Sequence, residues 1–228
     1  MPTNNLVPSD CNDYLYRATY FLLKPFVPFI PCSISPNTIT LCAFLSAMVG
    51  TALLMIIPTP AAYLYWVLFN FIWFILDALD GLHARYTHQT SEYGAFLDHA
   101  LDNIYFIFMF TVFAYRFDLL HMLYVYIIAL RITASLMVYL VHSHTRHYIL
   151  GRFTGGLEFL LMNAAMILSY YYPYINPTHL TQNHFLLQAI HFLDLQHGLF
   201  MKLALLVYFV GVPINVFLQF RFVRSVVT

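Results

Sequence analysis

The stretch that decides the fold joins two long apolar runs and carries four aspartates at fixed spacing. It reads Asp77-Ala78-Leu79-Asp80-Gly81-Leu82-His83-Ala84-Arg85, then eight residues, then Gly94-Ala95-Phe96-Leu97-Asp98-His99-Ala100-Leu101-Asp102. Only 9% of the 228 residues are charged, yet these aspartates are four of the ten acidic residues in the chain. A carboxylate at membrane depth costs roughly 2.5–3.5 kcal/mol. The four aspartates therefore need a neutralising partner.

The composition around this stretch is typical of a polytopic membrane protein. The chain is 61% hydrophobic and 18% aromatic, whereas soluble domains are about 45–50% apolar. Its formal net charge is zero, so no basic field indicates a nucleic-acid partner. The polar N-terminus, MPTNNLVPSD, lacks the cationic and apolar regions of a signal peptide, and we expect no cleaved leader.

Apolar length predicts the helices. A bilayer core of about 30 Å needs about 20 apolar residues in a helix, and six stretches qualify: 38–57, 61–80, 94–115, 118–141, 156–173 and 198–220. Residues 11–28 mix charged with aromatic and aliphatic side chains, which predicts an interfacial amphipathic helix. We predict an all-α polytopic membrane protein of about six transmembrane helices with this N-terminal interfacial helix. Residues 1–228 would form one domain, with the bundle over 38–220.

Basic residues predict the orientation, because cytoplasmic loops carry an excess of Lys and Arg. With the N-terminus in the cytoplasm, that side holds Arg17, Lys24, Arg85, Arg146, Arg152, Arg221 and Arg224. The opposite side holds Arg116 and Lys202. The aspartate stretch is thus predicted to face the cytoplasm.

Helical spacing predicts that the aspartates converge. Asp77 and Asp80 are three residues apart near the end of the second span, so they share a face. Gly94, Asp98 and Asp102 recur every four residues on the third span. If these two faces meet, two divalent cations with oxygen ligands, Mg²⁺ or Mn²⁺, are the natural partners of the carboxylates.

Two further residues suggest that the ligand is a phosphate. We expect Gly81 to end the second span and to turn backbone N–H groups toward an anion. Arg85 supplies a planar guanidinium suited to a diphosphate.

The pattern D-x2-D-G-x2-A-R-x8-G-x3-D-x3-D resembles, at every position, the signature of the CDP-alcohol phosphatidyltransferase family. The resemblance implies an enzyme of phospholipid synthesis that cleaves a CDP-linked donor, transfers the substituted phosphate to an alcohol and releases CMP. It also implies a homodimer. Asp77, Asp80 and Asp98 would bind the metals and Asp102 would complete the cluster. The residues around the CDP would be Gly81, Ala84, Arg85, Gly94, Asn37 and Thr40.

Two branches of the family differ in the donor. The pair Asp98-His99 resembles that of enzymes that use CDP-choline or CDP-ethanolamine with diacylglycerol, and we favour this branch. The chain departs from them in being short and in having Ala100-Leu101 after the pair. The alternative is phosphatidyl transfer from CDP-diacylglycerol to inositol, serine or glycerol phosphate.

The base that activates the acceptor hydroxyl is left open among three residues: His99, Asp102 and Glu158. His99 lies off the aspartate face, and Glu158 opens the fifth predicted span, where the helix dipole by itself favours an acid. Arg131, inside the fourth span, either pairs with a core polar group or binds a head group.

Other classes of protein hold carboxylates in membranes. A transporter usually binds its substrate near the midplane between internal repeats, and no repeat is visible here. A metal-dependent membrane phosphohydrolase would need the same metal site and stays as an alternative outside the family.

Overall fold

The computed structural model describes residues 6–7, 13–145, 155–171, 183–193 and 198–227, and the secondary structure in these ranges is helical throughout. The α-helices are α1 Tyr14–Leu23, α2 Pro36–Ile56, α3 Ala61–Tyr86, α4 Glu92–Arg116, α5 Met122–Thr145, α6 Gly155–Tyr170, α7 His184–Phe192 and α8 Leu199–Val227. A 3₁₀-helix, Lys24–Phe29, follows α1. The all-α prediction is confirmed.

Five of these helices, α2, α3, α4, α5 and α8, are long and apolar enough to cross a membrane. The sixth predicted span corresponds to α6, which is apolar but shorter at 16 residues. Large hydrophobic side chains such as Leu45, Val49 and Ile56 on α2 are exposed. An apolar outer face is what a membrane-spanning helix presents to lipid. The chain is a multi-pass membrane protein.

Local signals set the starts of the helices that carry the site. Ser35 caps α2 by accepting a hydrogen bond from the Thr38 amide, and Pro36 occupies the first turn, where a missing N–H costs nothing. Ser91 caps α4 in the same way, with Gly94 N as the donor.

The expectation that Gly81 ends the second span is wrong. Helix α3 continues through Gly81 to Tyr86, so Asp77 and Asp80 lie before its last turn. The helix stops at Thr87, just before His88 with φ of 59°, a left-handed conformation that cannot continue a right-handed helix. A single glycine costs a helix about 1 kcal/mol or less, which a packed transmembrane helix tolerates.

The predicted interfacial helix is α1 together with the 3₁₀-helix. Phe21, Leu22, Phe26 and Phe29 are exposed along this segment, whereas Tyr16 packs edge-on against Phe74 of α3. The segment is therefore amphipathic and lies against α3 and α6. Its depth in a bilayer remains a prediction.

Aromatic packing forms the core. Helix α3 packs against α2 and α6, α2 also meets α4, and α8 packs against α5 and α6. Buried Trp66, Trp73, Phe74, Tyr105 and Phe113 fill the interior. The largest part of the site's lining comes from two groups of helices, with α2, α3 and α4 in one group and α5, α6 and α8 in the other.

Candidate functional site

The aspartates of α3 and α4 converge. Asp77, Asp98 and Asp102 each offer one carboxylate oxygen, and these oxygens all lie within 4.8 Å of one another. The predicted meeting of the two helix faces is thus confirmed for this trio. Asp80 lines the same cavity but does not belong to the trio.

Three hydrogen bonds fix individual carboxylates. Thr40 Oγ1 donates to Asp80 Oδ2 at 2.5 Å, Trp73 Nε1 donates to Asp102 Oδ1 at 3.3 Å, and Tyr16 Oη donates to Asp77 Oδ2 at 3.2 Å. The family resemblance implies that Thr40 lies near a nucleotide, whereas no pattern in the sequence indicates Trp73 or Tyr16 as donors to the aspartates. Each bond leaves other oxygens of its carboxylate available to a ligand.

Tyr16 belongs to α1, outside the spanning helices. Burial, and next the charge of Asp77, raises the pKa of its hydroxyl well above the usual range. The hydroxyl therefore stays protonated at physiological pH and acts as the donor to Asp77. The amphipathic pattern of α1 predicted a buried face, but no local signal indicated that Tyr16 would reach the aspartates.

A cavity of about 470 Å³ opens beside the trio. All six residues predicted to surround the CDP line it: Asn37, Thr40, Gly81, Ala84, Arg85 and Gly94. Such a volume is in the range of small-molecule sites, which is about 300–1,000 Å³.

Arg85 lies at one side of this cavity. Its Nε donates to the Leu6 carbonyl at 2.5 Å, and its guanidinium carbon lies 5.5 Å from the centroid of the Tyr20 ring. Within the described part of the chain, its buried Nη2 has no hydrogen-bond partner. A buried donor without a partner is costly, and an anionic ligand in the cavity would satisfy it.

The two glycines of the pattern provide space. A Cβ at Gly81 would lie 3.2 Å from Arg85 Nη1, and one at Gly94 would lie 3.1 Å from Asn37 Oδ1. Gly81 thus leaves room for the Arg85 guanidinium. This is its role in the structure, instead of the predicted role at a helix end. Gly94 lets α4 approach the first turn of α2.

Glu158 and Arg131 form an ion pair across α6 and α5. Arg131 Nε lies 2.9 Å from both carboxylate oxygens of Glu158, and Nη2 also binds Oε2. The Arg131 guanidinium also lies over the Phe106 ring, 4.9 Å from its centroid. Arg131 therefore pairs with a core polar group, the first of the two alternatives, and both oxygens of Glu158 are engaged.

His99 lines the cavity, although it lies off the aspartate face of α4. Its ring is 5.7 Å from that of Tyr139 on α5, centroid to centroid. A titratable ring at the cavity wall is suitably placed for proton transfer.

The wall formed by α5, α6 and α8 combines apolar residues with polar ones, which are Ser135, Tyr208, Asn215 and the paired Arg131 and Glu158. Its apolar residues include Ala134, Val138, Leu157, Leu161, Val207 and Val212. The aspartates thus lie on one side of the cavity, and the other side offers apolar surface around a paired charge.

The donor chemistry of the trio fits a hard divalent cation, which prefers carboxylate oxygens. Among the described residues, no Lys or Arg forms an ion pair with Asp77, Asp98 or Asp102, whereas Arg131 pairs with Glu158. The trio also meets the geometric requirement for a shared ion. Arg146 and Arg152, counted for the orientation, lie outside the described residues.

A model of the CDP-alcohol phosphatidyltransferase family matches residues 33–213, which is most of the chain. The chain belongs to this family. Enzymes of the CDP-alcohol phosphatidyltransferase family are generally dependent on divalent metal, in agreement with the carboxylate trio. The matched region contains all four aspartates and the six cavity residues predicted to surround the CDP.

Individual relatives come from both branches. Cholinephosphotransferase 1 of Rattus norvegicus is 39% identical over 88 residues, covering 35% of this chain and 22% of the relative. The Homo sapiens protein of the same name is 39% identical over 88 residues, covering 35% and 21%. The CDP-diacylglycerol–serine O-phosphatidyltransferase of Encephalitozoon cuniculi is 32% identical over 95 residues, covering 39% and 24%. The matches span less than a quarter of each relative.

Proposed function

We propose that the protein transfers the substituted phosphate of a CDP-linked donor to an alcohol and releases CMP, with CDP-choline or CDP-ethanolamine as donor and diacylglycerol as acceptor. One observation carries the proposal: a carboxylate trio lines the same cavity as the Arg85 guanidinium, whose Nη2 has no partner among the described residues. Together they suit a metal-bound diphosphate.

Asp77, Asp98 and Asp102 would hold divalent cations, Mg²⁺ or Mn²⁺, with Asp80 as a further ligand. Two bound cations would stabilise the negative charge of the diphosphate as the leaving group departs. Trp73, Tyr16 and Thr40 orient the carboxylates through their hydrogen bonds. Outer-sphere bonds of this kind fix the ligands of a metal site.

The residues of the CDP site would act through close approach and charge. Arg85 would bind a phosphate oxygen with Nη2, in the space that Gly81 leaves. Asn37, on the first turn of α2, would face the nucleotide together with Ala84 and Gly94.

Among the three candidate bases, we propose His99. Glu158 is bound at both oxygens by Arg131, and Asp102 belongs to the carboxylate trio. His99 presents a titratable ring at the wall of the same cavity. In the reaction, the acceptor hydroxyl passes its proton to an imidazole nitrogen of His99. The oxygen of the acceptor hydroxyl bonds to the β-phosphorus of the donor, and the bond between that phosphorus and the bridging oxygen of the diphosphate breaks. CMP leaves with the electron pair.

The apolar residues of the wall formed by α5, α6 and α8 support a lipid acceptor, because they suit an alcohol that enters from the bilayer. Similarity to cholinephosphotransferases supports this branch. The second candidate is phosphatidyl transfer from CDP-diacylglycerol to a small polar alcohol, which the similarity to the Encephalitozoon cuniculi protein favours. In that reaction the same apolar residues would hold the acyl chains of the donor.

The proposal extends to the setting of the enzyme. We place the cavity on the cytoplasmic side because most of the basic residues are assigned to that side. Arg116, which is assigned to the opposite side, lies at the other end of α4 and donates to the Pro58 carbonyl. Residues 1–228 would act as one domain, and the active form would be a homodimer.

The test uses the full chain purified into lipid nanodiscs that contain diacylglycerol and Mg²⁺. CDP-choline, CDP-ethanolamine and CDP-diacylglycerol are supplied in turn, the last with inositol, serine or glycerol phosphate. CMP release and the lipid formed are measured by mass spectrometry. Formation of phosphatidylcholine or phosphatidylethanolamine supports the first reaction. The second is supported if CDP-diacylglycerol is the one donor that yields a product, in the presence of inositol, serine or glycerol phosphate. In control nanodiscs that lack diacylglycerol, with no alcohol added, CMP release would indicate a phosphohydrolase. No release with any donor would contradict the proposal.

A further inference from the structure

One buried carboxylate joins the starts of two helices beside the site. Asp13 is 1% exposed. Its Oδ1 accepts hydrogen bonds from Leu15 N at 2.9 Å and Tyr16 N at 3.2 Å, which caps α1. Its Oδ2 accepts from Gly156 N at 2.9 Å, in the first turn of α6. The first turn of a helix leaves its N–H groups without helical partners, so Asp13 satisfies donors of both helices.

The glycine pair that opens α6 permits this contact. A Cβ at Gly156 would lie 2.4 Å from Asp13 Oδ1 and 2.5 Å from Leu15 Cβ, closer than real contacts allow. A Cβ at Gly155 would lie 3.1 Å from the ring of Tyr16. Glycine at both positions therefore lets α1 dock directly on the backbone of α6.

This docking determines where Tyr16 lies. The Tyr16 amide is one of the groups that Asp13 caps, and its ring lies between Gly155 and the Phe74 ring, whose centroid is 4.8 Å away. The hydroxyl then reaches Asp77 Oδ2 at 3.2 Å. A continuous path thus runs from Asp13 through Tyr16 to a member of the carboxylate trio.

We propose that Asp13 is a positioning residue for the carboxylate trio: by bridging α1 and α6 it holds the Tyr16 hydroxyl on Asp77. Asp13 itself is not among the residues that line the cavity. This inference rests on the proposed function, because it assigns Asp13 a role in the metal site that function requires.

Substitutions separate the bridge from the helix cap. Asp13→Ser keeps a hydroxyl that caps α1 but is too short to reach Gly156. Gly156→Ala disturbs the same contact from α6 without changing the Asp13 residue, because its Cβ would lie 2.4 Å from Asp13 Oδ1. This variant replaces Asp13→Ser if Asp13→Ser does not fold. Tyr16→Phe removes only the hydroxyl that binds Asp77. Asn183→Ser, at the N-cap of α7, is the matched control for a change of cap.

The experiment measures Mn²⁺ affinity by electron paramagnetic resonance, together with kcat per folded protein, on the full chain in nanodiscs. Loss of an outer-sphere partner typically weakens metal binding about 10–100-fold, and we expect this for Asp13→Ser and for Tyr16→Phe. Asn183→Ser should match the wild type. If Asp13 acts through Tyr16, the double variant Asp13→Ser/Tyr16→Phe should bind Mn²⁺ about as tightly as the weaker-binding single variant. The reason is that the two changes remove one interaction.

Two results would overturn the inference while leaving the proposed function intact. One is wild-type Mn²⁺ affinity in Asp13→Ser, even if its melting temperature falls, since that would limit Asp13 to a structural role. The other is a loss of Mn²⁺ affinity in the double variant that equals the product of the two single-variant losses. A wild-type protein that neither binds Mn²⁺ nor releases CMP would overturn both the inference and the proposed function.

Discussion

Arg131 of α5 and Glu158 of α6 form a bidentate ion pair at the wall of the cavity, with side chains only 15% and 12% exposed. Removing one partner of a buried pair leaves an uncompensated charge, which typically destabilises by about 3–5 kcal/mol. We expect Arg131→Met and Glu158→Leu each to lower the melting temperature markedly. The double variant Arg131→Met/Glu158→Leu should recover much of the loss, because it leaves no charge unpaired. A double variant as unstable as the sum of its parents would contradict the pairing.

Chelation tests the metal site without any substitution. Because no Lys or Arg among the described residues pairs with the trio, we expect EDTA to abolish turnover and Mg²⁺ or Mn²⁺ to restore it. Metal should also raise the melting temperature, since a ligand that binds only the folded state stabilises it. Turnover that persists after exhaustive chelation would rule out a metal-dependent reaction.

Conservative substitution distinguishes the four aspartates. Asp77→Asn, Asp98→Asn and Asp102→Asn each remove one charge from the trio and should lower kcat/KM by orders of magnitude. Asp80→Asn tests a carboxylate that lies outside the trio but accepts from Thr40. Exposed Asp118, in the turn after α4, gives the matched control Asp118→Asn, which should retain wild-type activity. Normal turnover in a trio variant would remove that residue from the site.

The sequence predicted the elements that depend on local pattern. Apolar length located five of the six predicted spans as long apolar helices and the sixth as the shorter α6. The four-residue repeat of Gly94, Asp98 and Asp102 predicted which face of α4 carries the aspartates toward Asp77 of α3. Both signals lie within one helix, where the spacing of residues determines the geometry.

What the sequence did not predict depends on packing between distant segments. Tyr16 is 61 residues from Asp77, and Arg131 is 27 residues from Glu158. No helical period links such pairs, because the docking of whole helices brings them together. Gly81 was assigned wrongly for a related reason: its local helix-ending tendency is outweighed by the continuous hydrogen bonding of α3, and the space it leaves accommodates Arg85.

Two glycines test the packing of the bundle. A Cβ at Gly50 would lie 2.6 Å from Phe69 Cβ, where α2 meets α3, whereas one at Gly211 in α8 would meet no atom of the described residues within 4 Å. Overpacking a tight contact costs about 1–3 kcal/mol, so Gly50→Ala should lower the melting temperature. Gly211→Ala should not lower it, because alanine is the better helix former. Equal effects of the two substitutions would contradict the close approach of α2 and α3.

The assignment of the base gives the last prediction. A general base typically contributes about 10²–10⁴-fold, so His99→Gln should lower kcat by that factor while leaving Mn²⁺ affinity unchanged, because His99 is not part of the trio. Exposed His184 on α7 supplies the control His184→Gln, which should keep wild-type kcat. Glu158→Gln distinguishes the competing assignment: if its kcat falls as far as expected for His99→Gln while the melting temperature is unchanged, Glu158 is the base. A fall in both would follow from the broken pair with Arg131. Full activity of His99→Gln on the substrates identified for the wild type would exclude His99 and return the role to Asp102 or Glu158.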